Sequence, residues 1–214
     1  MSDPLNLVLV LTAASLLPFF AVVATSFVKL SVVFLLVRNA LGVQQIPPNM
    51  ALNALAMILS GYIMAPVIVQ TADIFTSHHF DFGTVQGLRS AYQAGSAPLT
   101  KFLLMHTGER EKVFFIEAAK SLWPKDVASA ISPENIAIIL PAFAVSQLRQ
   151  AFEIGFLLYL PFIAIDLIVS NILLAMGMMM VSPLTISLPF KLFLFVMVDG
   201  WSRLILGLVQ SYAR

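Results

Sequence analysis

Four methionines in five positions, Met176-Gly177-Met178-Met179-Met180, sit inside an uncharged stretch of this 214-residue chain, Leu167 to Phe190. Methionine is unbranched and polarizable, so a cluster of it makes an apolar surface that moulds to what touches it. A helix that only had to be apolar would use leucine or valine. The run reads either as an adaptable apolar contact or as ordinary core packing. Asp166 and Lys191 bracket it, and Lys29 interrupts an earlier apolar region. Ionisable groups in apolar helices are costly and either pair or line a polar path. Two readings stand: a proton or ion relay, or structural ion pairing between helices or subunits. A relay calls for more carboxylates in series than Asp166 and Asp199 supply. Arg149 and Glu153 stand four apart and share a helical face.

No catalytic constellation is present. Gly-x-Ser-x-Gly, phosphate-binding glycine loops and His-Glu-x-x-His are all absent. Asp166 and Asp199 lack the Gly-x-Gly-Asp setting of an intramembrane aspartyl protease. His78, His79 and His106 have no carboxylate or thiol at metal-binding spacing and read as solvated histidines. The chain has no cysteine, which removes disulfides, thiolate metal sites and cysteine nucleophiles. The expectation is therefore no enzyme activity, no cofactor and no metal.

The elements that must position these residues are apolar and helical. The composition is 59% hydrophobic and only 11% charged, with mean hydropathy +0.93, whereas soluble domains carry roughly 25% charged residues. The net charge of +1 gives no footprint for nucleic acid. Charge divides the chain into 1–72, an apolar helical hairpin; 73–135, a polar helical segment with 13 of the 23 charged side chains; and 136–214, apolar helices carrying the methionines. Leu5 to Val28 is uncharged and, with no basic segment before it, reads as a retained helix rather than a cleaved signal. One helix is expected from about Pro4 to Arg38, a turn over 42–49, and a second helix over about 50–71. In the polar segment an amphipathic helix is expected over Glu109 to Leu122, and Ser132-Pro133-Glu134 reads as a helix N-cap with proline at N1. Pro141, Pro161, Pro183 and Pro189 predict repeatedly interrupted apolar helices, of the kind that face protein or a cavity. The fold class is all-α, membrane-type.

Three stretches together are specific: Leu36 to Met50, with Gln44-Gln45-Ile46-Pro47-Pro48-Asn49; Leu140 to Phe156, with Pro141, Arg149, Glu153 and Gly155; and Tyr159 to Lys191, with Pro161, Asp166, the methionines, Pro183 and Pro189. They resemble the FliP/SctR (YscR, HrcR) family, inner-membrane export-gate subunits of bacterial type III secretion systems and flagella. The resemblance covers essentially the whole chain except 73–135, and the N-terminus looks more like an injectisome member than a flagellar one. It implies a homopentamer that assembles with two smaller export-apparatus membrane proteins (FliR/SctS-T-like and FliQ-like) into a closed helical pore complex for unfolded substrates, next to needle and rod components. It implies inner-membrane location, with the polar segment 73–135 on the periplasmic side and helices raised to that side on assembly. The family's methionine-rich gasket maps onto Met178, Met179 and Met180. Arg149, Glu153, Asp166 and Lys191 are then candidates for contacts between helices or subunits, and Gln44, Gln45, Pro47, Pro48, Asn49, Pro141, Gly155, Pro161, Pro183 and Pro189 for structural roles. The rival expectations are an ion-coupled small-solute transporter subunit using Asp166, for which the internal repeats common in such proteins are missing, and a purely structural membrane scaffold.

Overall fold

A computed structural model describes residues 12, 15, 18–43, 45–81, 83–130 and 132–213. Eight labelled helices follow one another among these residues: α1 (Phe27–Leu41), α2 (Asn49–Ser77), α3 (Val85–His106), α4 (Glu109–Leu122), α5 (Lys125–Ala130), α6 (Ile136–Ala175), α7 (Pro183–Met197) and α8 (Gly200–Gln210). The described part is all-α, as the composition requires. By length and apolarity α2 and α6 can each cross a membrane, and α7 with α8 can form a third span bent by 59°. The described residues fall into two compact units, one drawn from Met1–Val28 and Ser60–Gln147, the other from Lys29–Leu59 and Leu148–Arg214.

In the first unit, α6 opens with Ile138, Ile139, Ala142 and Phe143, all buried at i, i+1, i+4 and i+5. Phe143 meets Phe102 of α3 with ring centroids 6.0 Å apart. Gln147 of α6 donates through Nε2 to the His106 carbonyl at 3.0 Å, and the Gly108 N–H donates to Ser146 Oγ at 3.0 Å. These two bonds satisfy backbone groups where α3 ends and α4 begins, which helix geometry leaves without partners. The expected helix over Glu109 to Leu122 is α4.

The expected single helix from Pro4 to Arg38 is not what forms where the chain is described; its residues 4–11, 13, 14, 16 and 17 lie outside. Residues 18–23 are helical, 24–26 are not, and α1 starts at Phe27. Thr25 Oγ1 donates back to the Ala21 carbonyl at 2.6 Å, and Ser60 Oγ donates to Thr25 Oγ1 at 3.1 Å. Ser26 Oγ donates to Ser60 Oγ at 3.1 Å. Hydroxyls so placed offer the backbone an alternative to the helical ladder, which breaks it there. The cap expected at Ser132 also moves. Ser132–Asn135 is a turn, and Asn135 is the cap, its Oδ1 accepting the Ala137 N–H at 2.9 Å. Neither Pro141 nor Pro161 interrupts α6, contrary to the expectation, and Pro189 lies within α7.

In the second unit α1 buries Leu30, Val33, Phe34, Val37 and Leu41, the i, i+3, i+4, i+7 stripe of a core-facing helix. Each such side chain contributes about 1.5–3 kcal/mol on full burial. Phe34 packs on Trp201 at 6.2 Å, and Trp201 on Phe195 at 5.4 Å, both edge-on. At Gly155 of α6 the Leu36 side chain occupies the place a Cβ would take, so α1 and α6 approach closely only because that residue has no side chain. The turn expected over 42–49 separates α1 from α2. Gly42 and Gln45 there have φ of 76° and 64°, and the Ile46–Pro47 peptide is cis.

Candidate functional site: a methionine loop above a buried ion pair

The methionine run is where α6 stops. Gly177 adopts φ 75°, its N–H donates to the Leu174 carbonyl at 3.0 Å, and the Met178 N–H donates to the Leu173 carbonyl at 2.9 Å. That pair of bonds is the Schellman ending, which needs a left-handed residue just past the helix. The chain then turns through Met178–Ser182, and Pro183 restarts it at the first turn of α7, where a missing N–H costs nothing. Met178, Met179 and Met180 are 40%, 82% and 100% exposed. In the described chain they are therefore a projecting loop rather than packed core.

Eleven residues before Gly177 and fourteen after it, the two flanking helices are tied together. Lys191 Nζ of α7 donates to Asp166 Oδ2 of α6 at 2.6 Å, and Ser187 Oγ donates to Asp166 Oδ1 at 2.6 Å. Ser187 and Lys191, four apart, share one face of α7 and so reach both oxygens of one carboxylate. Lys191 Nζ also donates to the Ala40 carbonyl at 3.3 Å, in the last turn of α1. There a cation meets both a free carbonyl and the negative end of the helix dipole. One ammonium thus joins three helices, two of them the helices that flank the methionine loop. An open apolar crevice of about 360 Å³ lies alongside, lined by Ile165, Val169, Ile172 and Leu173 of α6 with Ile186 and Phe190 of α7.

The other expected residues lie elsewhere in the same unit. Arg149 and Glu153 pair with each other along α6 at 3.5 Å, with side chains 49% and 65% exposed. Lys29 is buried, donates to Gln150 Oε1 at 3.1 Å, and stands 4.2 Å over the Tyr212 ring. Burial pushes the Tyr212 phenol well above its ordinary range, and its ring face meets the Lys29 ammonium in a cation–π contact. Arg38 holds the 42–49 turn, its NH1 donating to the Pro47 carbonyl at 3.2 Å and to Asn49 Oδ1. That gives Pro47 and Asn49 of the turn motif a common partner; Gln44 lies outside the described residues. Pro161 lines a second, larger apolar cavity of about 620 Å³ with Phe162, Phe195, Leu204 and Leu208, and Arg203 is its one charged lining residue. Sequence reasoning missed Ser187, Gln150 and Tyr212. The i, i+4 spacing of Ser187 and Lys191 was a usable signal for the first; nothing local marks the other two.

The FliP family model matches residues 10–208. Yop proteins translocation protein R of Yersinia pestis is 56% identical over 98% of this chain and 97% of its own length. Virulence protein YscR of Salmonella typhimurium is 48% identical over 99% and 98%. Harpin secretion protein HrcR of Erwinia amylovora is 45% identical over 98% and 97%.

Proposed function

Because the chain belongs to the FliP family, we propose that it is a core subunit of a type III secretion export gate, with Met178, Met179 and Met180 as the seal of its pore. The observation that carries this is the projecting methionine loop on a chain similar, almost end to end, to proteins named for translocation and secretion. In the proposed gate, copies of this chain form a pentamer with two smaller membrane proteins of the same apparatus in the bacterial inner membrane. Each copy contributes its loop to a ring.

The physics of the loop suits the task. An apolar constriction resists wetting and so stops ions at rest. Methionine's flexible thioether yields around an unfolded chain of any sequence, where a branched side chain would not. The Schellman ending at Gly177 and Pro183 at the restart of α7 fix where the loop leaves each helix, and the Asp166–Lys191–Ala40 knot holds its base. The open apolar crevices and the many exposed leucine, isoleucine and phenylalanine side chains of α2 and α6 support burial against lipid, other copies or partner subunits. Driving force comes from partners, since the chain carries no nucleotide-binding motif. Arg149 and Glu153, exposed on α6, are positioned for contacts with neighbouring subunits.

Ionic leak across the inner membrane tests the reading. Cells assembling equal amounts of complex are compared with the wild-type chain and with M178A/M179A/M180A. A higher leak in the variant is expected; an unchanged leak with intact assembly means the seal lies elsewhere.

A further inference from the structure

Four of the ten methionines lie between 176 and 180, and the chain offers no thiol to react in their place. Met176, Met179 and Met180 are 65%, 82% and 100% exposed, whereas Met64 on α2 is only 6% exposed. Met50 and Met57 are also exposed, but each stands singly on α2, a candidate span. Thioether oxidation follows access, and it turns a flexible apolar side chain into a polar, chiral one. The loop thus gathers, at one helix junction, four thioethers open to that chemistry, where the exposed Met50, Met57, Met105 and Met197 stand singly.

We propose that Met179 and Met180 are a sulfoxidation site for oxidants of the peroxide class, and that their oxidation unseals the gate. The sulfur lone pair attacks one peroxide oxygen, an S–O bond forms and the O–O bond breaks. The departing hydroxide takes up the remaining proton as water. Sulfur is oxidised by two electrons and the peroxide reduced by two. The product S=O is a strong hydrogen-bond acceptor, so a ring that excluded water acquires groups that hold it. Dewetting, the basis of the seal, is lost without any break in the backbone. The change is reversible, since the two sulfoxide epimers each have a reductase. This rests on the gate reading above for its consequence, though not for the chemistry.

The test uses membrane vesicles carrying the assembled complex, treated with hydrogen peroxide. Sulfoxide at each methionine is followed by peptide mass spectrometry, and ionic leak is followed in parallel. Met179 and Met180 are expected to oxidise several-fold faster than Met64, with leak rising in step. The leak is expected to fall again after treatment with the paired reductases and a dithiol, which is oxidised to a disulfide as the sulfoxide oxygen leaves as water. M178L/M179L/M180L, whatever its resting leak, is expected not to change it on treatment. Equal oxidation rates at Met179, Met180 and Met64 would overturn the proposal and leave the gate reading untouched. Selective oxidation without added leak, or an equal rise in the leucine variant, would overturn it too. The untreated alanine triple variant then separates the cases, because a raised leak there preserves the gate and an unchanged one removes both ideas.

Discussion

At the residue scale the Asp166–Lys191 pair has unequal access to water, its side chains being 34% and 3% exposed. Removing the carboxylate strands a buried ammonium, while removing the ammonium leaves a carboxylate that Ser187 and water still serve. Asp166→Asn is therefore expected to cost about 3 kcal/mol of stability, as breaking a buried pair does. Lys191→Met, which keeps the alkyl packing, should cost about half as much. The double variant should lose less than the two singles together, since the stranded charge is gone. Thermal unfolding of the detergent-solubilised protein gives the ordering, and equal losses in the two single variants would contradict it. The same pair bears on the transporter expectation. Lost assembly in Asp166→Asn is the signature of a structural pair, and lost proton-coupled uptake that of a relay.

At the element scale the helix ends carry the positioning. Gly177→Ala forces a side chain into φ 75° and is expected to destabilise by about 1 kcal/mol while shifting the loop it launches. A raised resting leak at normal abundance would register that shift. Asn135→Ala should cost about 1 kcal/mol by removing the α6 cap, and Ser132→Ala only a fraction of that, as thermal unfolding of the two variants would show. These two residues also show how far the sequence is legible. Glu109 to Leu122 can be read because Gly108 opens it and Trp123-Pro124 closes it, both local signals. Ser132-Pro133 offers an equally local signal, yet the turn it makes hands the cap to Asn135. Thr25 has a local bond to the Ala21 carbonyl where the helix breaks, but its and Ser26's bonds to Ser60, far along the chain, could not be read locally. The charged residues of the candidate site are legible as anomalies in apolar sequence. Their pairing is not, since Asp166 meets Lys191 only once α6 and α7 fold back across Gly177, and Lys29 meets Tyr212 only across nearly the whole chain.

At the scale of the whole molecule, α6 sets the terms. Forty residues of helix extend roughly 60 Å at 1.5 Å per residue, about twice the ~30 Å of a bilayer's hydrocarbon. A helix of that length has more apolar surface than one straight crossing would cover. The absence of cysteine makes the orientation measurable. His79→Cys and Lys125→Cys, both in the polar segment, are expected to react with a membrane-impermeant maleimide from the periplasmic side. Labelling only after the inner membrane is opened would overturn the periplasmic placement that the family resemblance implies for this segment. Lys29 adds a matter of timing. It leaves the ribosome early, yet its partner Gln150 is 121 residues further on, and Tyr212 comes later still. At the usual 5–20 residues per second, the ammonium goes without Gln150 for on the order of ten seconds. For that interval the nascent chain must hold this charge by other means, in water, at the lipid headgroups or against an insertion factor. The newly made chain therefore passes through an arrangement that the finished one abandons.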